Sequence, residues 1–286
     1  MKRLDRQSFL GCNSDDVLDA ATVGLVGLGG GGSHHGQQLA HVGIGGFVLV
    51  DPDTIDLSNT NRLIGGTQLD VDANLAKVEI AARLIRGIHP GARVKALKSD
   101  WRFVLDDLKA CDVLFGAVDS FRDRDQLERF ARRFMIPYVD VGMDVLEHPD
   151  SQFLISGQVI VSMPGGPCLR CCNFITDERL EREAEQYGAA GGRPQVVWPN
   201  GVLASTAVGI VLELLTPWHR ARFIYMEYDG NRRTVSPSHW MTALEHRECP
   251  HYQPAETGDP DFDVRRRDVA MADGRSTVSA SVIENN

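Results

Sequence analysis

Short apolar runs alternate with amphipathic stretches along the first half of the chain. The runs at 22–27, 46–51, 92–97, 112–117 and 137–141 are rich in Val, Leu and Ile and mostly bounded by Gly or Asp. That length and composition predict buried strands. Between them, 33–42, 75–88, 102–109 and 121–133 read as helices. In the second, Val78, Ala81, Leu84, Ile85 and Ile88 recur at helical spacing, and His89-Pro90-Gly91 stops it. The alternation predicts an α/β fold, a Rossmann-like, doubly wound and mostly parallel sheet with helices on both faces. The segment 121–133 interleaves acids and bases, the pattern of a solvated helix.

Beyond residue 150 the pattern changes. Residues 153–163 read as one or two strands, with Gly157 as a bend or bulge. Residues 173–196 are charged and Gly-rich and read as a mobile loop. Residues 199–215 read as a buried helix with small residues on one side. Residues 222–228 and 232–236 pair as a hairpin around Asp229-Gly230-Asn231, so antiparallel strands extend the sheet at its C-terminal side. The expected organisation is one domain over 1–253, with halves 1–150 and 151–253, followed by a disordered tail over 254–286.

Composition narrows the function classes. Hydrophobic residues make up 43% of the 286, enough for an ordinary core. A net charge of −9 with no long basic run argues against a nucleic-acid partner. No run of 18 or more apolar residues predicts a membrane span, and the N-terminus lacks the apolar core of a signal peptide. The expected location is cytoplasmic, where six cysteines point to metal or catalysis rather than disulfides.

The candidate chemistry starts at Gly27, Gly29, Gly30 and Gly32, which close the first strand and open a helix. Bare backbone N–H groups and a helix N-terminus there suit a phosphate chain, and Asp51 at the end of the second strand suits a ribose diol. These residues alone also fit an NAD-dependent oxidoreductase. Asp53 and the cluster Ser58-Asn59-Thr60-Asn61-Arg62 favour a triphosphate, because Arg62 can grip phosphate oxygens bidentately and Asn59 can donate another hydrogen bond. Turn chemistry also explains Asn59 and Asn61.

The string from Gly27 to Arg62 resembles the adenylation domain of the ubiquitin-activating-type superfamily, the ThiF, MoeB and HesA proteins. GxGGxG, DxD and SNxxR all stand at that family's spacing. Arg3-Leu-Asp-Arg6-Gln7, Lys77-Val78-Glu79, Val118-Asp119-Ser120, Arg124 and Pro167-Cys168-Leu-Arg-Cys171 resemble its further motifs, and the resemblance covers roughly 3 to 252. It implies ATP-dependent adenylation of the C-terminal carboxylate of a β-grasp ubiquitin-like or sulfur-carrier protein. Arg62, Lys77 and Asn59 would face the phosphates and Asp119 would hold Mg²⁺. Arg6 would reach the ATP site of a second subunit, hence a homodimer. As single residues, Lys77 also reads as solvent-facing, Asp119 as a helix N-cap and Arg6 as surface. Sulfur transfer for thiamine- or molybdopterin-type cofactors and a bacterial conjugation pathway with a downstream conjugating enzyme are both open.

Cys168-x-x-Cys171 implies half of a structural Zn²⁺ site. The family's second C-x-x-C reads Cys249-Pro-His251-Tyr252 here, so His251, His246 or Cys172 would supply the fourth ligand. Residues 173–200 contain no cysteine, although thioester-forming members carry one there. The chain therefore stops at the adenylate, uses Cys172, Cys12 or Cys111 atypically, or carries a Cys→Ala change at Ala189 or Ala190. Cys111 reads as an inert core thiol and Cys12 as incidental.

Overall fold

The computed structural model describes residues 3–147, 150, 152–185, 194–219, 224–245, 247–252 and 257–258. His246, Ala189, Ala190 and nearly all of the expected tail lie outside them. In chain order the elements are α1 (Ser14–Ala20), β1 (Thr22–Val26), α2 (Gly30–Val42), β2 (Gly46–Val50), α3 (Gln68–Asp72), α4 (Lys77–Ile88), β3 (Arg93–Leu97), α5 (Leu105–Leu108), β4 (Val113–Gly116), α6 (Phe121–Arg133), β5 (Tyr138–Glu147), β6 (Phe153–Ser162), α7 (Asp177–Glu185), α8 (Val197–Leu215), β7 (Ile224–Asp229), β8 (Thr234–Pro237) and α9 (Trp240–Ala243).

One eight-stranded sheet carries them, in the order β3-β2-β1-β4-β5-β6-β7-β8. The first five strands are parallel, and β6, β7 and β8 each pair antiparallel with the strand before. The buried runs Val23–Val26, Phe47–Val50 and Val113–Phe115 are what a sheet covered on both faces requires. Leu39, Ile85, Leu203 and Val211 place α2, α4 and α8 on one face. Leu108, Leu127, Phe130 and Leu169 place α5, α6 and the Cys168 segment on the other. Strand order reverses between β1 and β4, so a crevice opens at their C-terminal ends.

Several expectations are corrected. β6 is one unbroken strand in register with β5, and Gly157 is no bulge. A Cβ there would lie 2.5 Å from Leu203 Cδ1, so the glycine admits α8 against the sheet. The helix expected over 102–109 is split at Val104 into a 3₁₀ turn (Trp101–Phe103) and α5. Within the expected loop over 173–196, Asp177–Glu185 forms the helix α7, and 186–193 lie outside the described residues. The 19-residue α8 is long and apolar enough to cross a membrane by length and composition, but it packs on α2, β5 and β6. Asn200, Ser205, Thr206 and Glu213 hide it from a run-length criterion.

The largest correction concerns α6, which is not a solvated helix. Arg124, Glu128 and Arg132 recur at i, i+4, i+8 and are all buried. Arg124 donates to Asp140 Oδ2 at 2.6 Å. Arg132 donates to Ser162 and to the carbonyls of Gly166 and Pro167, and Glu128 accepts from Leu169 N–H. These partners satisfy charges that would otherwise be costly to bury.

Candidate functional site

A cavity of about 370 Å³ fills the crevice. Gly29, Gly30, Gly31, Asp51, Asp53, Asn59, Arg62, Lys77, Asp119 and Ser120 all line it. The N-terminal ends of α2, α4, α6 and α8 bring Gly30, Lys77, Ser120 and Asn200 to its wall. The positive dipole ends of four helices suit this wall to a polyanion, although at α6 the first N–H groups are already taken by Glu183 and Ser120.

The glycine turn depends on close backbone approach. Gly27 has φ +86°, and a Cβ on Gly32 would fall 1.8 Å from the Gly27 carbonyl oxygen. Gly27 and Gly32 therefore build the turn, and Gly27 lines the cavity together with Gly29 to Gly31. Asp51 is buried; its two oxygens accept from the N–H groups of Leu28 at 2.6 Å and Asp53 at 2.8 Å. Burial pushes its carboxyl up, against the pull of Lys77 and these N–H groups. Lone pairs remain on both oxygens for a diol.

Lys77 is the first residue of α4, and its Nζ donates to Asp53 Oδ2 at 2.7 Å. It is not solvent-facing, for its side chain is 12% exposed. Arg62 donates from Nη1 to the Ser58 carbonyl at 2.7 Å and to Asn61 Oδ1 at 2.9 Å. Ser58 is absent from the cavity wall and contributes through that carbonyl. Asn59 closes a capping box with Asp56, so its carbonyl oxygen does turn chemistry while the residue still lines the cavity. Ser120, not Asp119, caps α6, accepting from Asp123 N–H at 2.9 Å. Asp119 stays at the wall.

Arg6 lies elsewhere. Gln7 donates to the Val42 carbonyl and Arg3 to that of Ala40, which fixes the segment at the far end of α2. Thirteen helical residues, about 20 Å, separate that end from Gly30.

Among the lining residues that the sequence did not point to are Asn200 and Gln195. Asn200 is buried against Gly30, where a Cβ would lie 2.4 Å from its Nδ2. Gln195 donates from Nε2 to Asp119 Oδ1 at 3.3 Å. Their distance along the chain from every glycine-loop motif left no local signal.

A second cavity of about 1100 Å³ continues from the first, the two sharing Asp119, Arg124, Gly142 and Met143. It runs along β5, β6 and β7 beneath α7, past Asp144, Ser156, Glu227 and Arg179. Glu183 of α7 accepts from the N–H groups of Phe121 and Arg122, tying that helix to the start of α6.

Cys168, Cys171, Cys249 and His251 converge beside the turn that Glu128 and Arg132 of α6 hold, with all four donor atoms within 4.8 Å of one another. Cys168 Sγ to Cys171 Sγ is 3.5 Å, Cys171 Sγ to Cys249 Sγ 3.7 Å, and His251 Nδ1 lies 3.4 Å from Cys168 and from Cys171. A tetrahedral zinc site has edges of about 3.4–3.8 Å from its usual bond lengths, so the donor set fits that ion. Cys172 is outside the quartet and buried in the core. Burial pushes its thiol up, and pushes that of Cys111 up to about 12.

The ThiF family matches residues 4–251. The SAMP-activating enzyme E1 of Haloferax volcanii is 33% identical over 156 residues, 54% of this chain and 54% of that protein. The tRNA threonylcarbamoyladenosine dehydratase of Escherichia coli is 38% identical over 128 residues, 43% of this chain and 46% of that protein. The chain thus matches about half the length of these relatives. Among solved structures, E. coli MccB with AMPCPP and MccA aligns at TM-score 0.69 and 19% identity, covering 83% of this chain and 71% of that one. The fold is shared with MccB, and the chain belongs to the ThiF family.

Proposed function

We propose that this chain uses ATP to adenylate the C-terminal carboxylate of a ubiquitin-like or sulfur-carrier protein, releasing pyrophosphate. The observation that carries the reading is the junction of the two cavities. A cradle with Arg62 and Lys77 on its wall opens directly into a groove of about 1100 Å³ along β5, β6 and β7, room for an extended polypeptide tail.

The reaction needs no general base. A C-terminal carboxyl has a reference pKa of about 3.3–3.7 and arrives ionised. Its oxygen attacks the α-phosphorus, a new O–P bond forms, and the bond to the bridging oxygen breaks as pyrophosphate leaves. The barrier is repulsion between two anions, so catalysis is the placement of cations and the orientation of the tail. Arg62 and Lys77 hold phosphate oxygens, the glycine turn supplies N–H groups, and Asp51 accepts the ribose hydroxyls. Asp119 would hold Mg²⁺, which binds through a carboxylate and substrate phosphates and neutralises charge there. Arg6 would serve the cradle of a second copy, since it stands at the far end of α2 from its own.

A net charge of −9 favours a polypeptide over a nucleic-acid carrier of the carboxylate. Buried Cys111 and Cys172, with their thiols pushed up, are poor nucleophiles. With no cysteine in 173–200, the adenylate is handed on rather than converted to a loop thioester. The four-donor quartet would hold structural Zn²⁺ and tie Cys249 and His251 to the Cys168 turn.

ATP–pyrophosphate exchange, assayed with a panel of small β-grasp proteins ending in Gly-Gly, tests the reading. Exchange should appear with a cognate protein and vanish in Arg62→Ala and Asp119→Ala. Undiminished exchange in either variant overturns it.

A further inference from the structure

A chain of hydrogen bonds spans the mouth of the cradle, and Gln195 is its middle link. Arg62 Nη1 donates to Asn61 Oδ1 at 2.9 Å, and Asn61 Nδ2 donates to the Gln195 carbonyl at 3.1 Å. The Gln195 amide donates to Asp119 Oδ1 at 3.3 Å. The backbone and side chain of this residue thereby link the β2–α3 connection, the β4–α6 turn and the approach to α8. Asn61 and Gln195 are 134 positions apart, Gln195 and Asp119 76.

Asp119 needs such help. It is exposed, and among the described residues its carboxylate accepts from Gln195 Nε2. It is not fixed as a helix cap, since Ser120 takes that role. A carboxylate left free to rotate loses entropy when it takes a metal, and a neighbouring amide can hold one oxygen and leave the other aimed at the ion.

We infer that the Gln195 side chain is a positioning group that orients Asp119 for the nucleotide-bound divalent cation, while its backbone carbonyl takes the amide of Asn61. This rests on the proposed adenylation, in which Asp119 is the metal ligand. Gln195 acts through the two residues it contacts, Asp119 and Asn61. Its effect is on the affinity for the cation, not on the rate once the cation is bound.

The test compares Gln195→Met, which keeps the volume and removes the donor, with Gln195→Ala and with the unmodified full chain. Mn²⁺ binding is read by electron paramagnetic resonance with the non-hydrolysable analogue AMPCPP present. ATP–pyrophosphate exchange is titrated with Mg²⁺ in parallel. Both variants should weaken Mn²⁺ binding about tenfold or more, the usual cost of losing an outer-shell partner. Exchange should return to within a few-fold of normal at saturating Mg²⁺. Mn²⁺ binding that superposes on the unmodified protein overturns the inference, as does exchange that stays lost at saturating Mg²⁺. If Asp119→Ala keeps full exchange, the adenylation reading itself fails. If Asp119→Ala is dead and Gln195→Met binds Mn²⁺ normally, only the role of Gln195 fails.

Discussion

The ammonium of Lys77 is held 2.7 Å from Asp53 Oδ2 at the edge of the glycine turn, with its side chain largely withdrawn from water. An acid from the end of β2 thus aims a base at the start of α4 into the cavity, so the cation is positioned before any phosphate arrives. A charge-assisted hydrogen bond is worth about 1.5–3 kcal/mol net. Lys77→Met should therefore weaken ATP–Mg binding about ten- to hundredfold by calorimetric titration, with thermal stability little changed. Unaltered affinity would show that this lysine serves only its ion pair.

The Glu128–Arg132 pair should matter for folding rather than chemistry. Arg132 fastens the carbonyls of Gly166 and Pro167, and Glu128 the N–H of Leu169, so the pair moulds the turn bearing Cys168 and Cys171. Arg132→Met leaves Glu128 buried without its cation and should cost about 3–5 kcal/mol in denaturant unfolding. A loss under about 1 kcal/mol would contradict the role given to the pair.

Metal analysis of the purified protein should find about one Zn²⁺ per chain. Cys249→Ser should lose it and lower the melting temperature, because a structural site contributes its binding free energy to folding. Fully folded, metal-free protein would show that the quartet packs without an ion.

Acid sensitivity should trace in part to His35. This residue is fully buried beside Phe115, and neither ring nitrogen has a hydrogen-bond partner. Burial, and secondarily the charge of His34, push it down to about 3. The folded state keeps it neutral where the unfolded chain, with a pKa near 6.5, takes a proton. Stability is therefore full above about pH 6.5 and declines as pH falls toward 3, by about 2 kcal/mol at pH 5. His35→Phe should flatten that part of the stability–pH profile. An unchanged slope between pH 6.5 and 4 would exclude the assignment.

The parallel core and the glycine turn were legible in the sequence because both are local. Strand runs between helices repeat within thirty residues, and Gly27 to Gly32 carry their geometry in adjacent positions. The knuckle was legible as well, because cysteines are few. Three things were hidden. The burial of Arg124, Glu128 and Arg132 looked like a solvated charge pattern, and only their common helical face hinted otherwise. The unbroken course of β6 depends on Leu203, far along the chain, filling the space beside Gly157. Gln195 and Asn200 reach the cradle by tertiary folding, which no spacing rule records.

The most direct test of the central claim is a paired calorimetric titration of the full chain with ATP–Mg and with NADH. The account predicts that ATP–Mg binds, that Arg62→Ala weakens it at least tenfold, and that NADH gives no saturable heat. NADH binding in the cradle, or ATP affinity indifferent to Arg62, would contradict it.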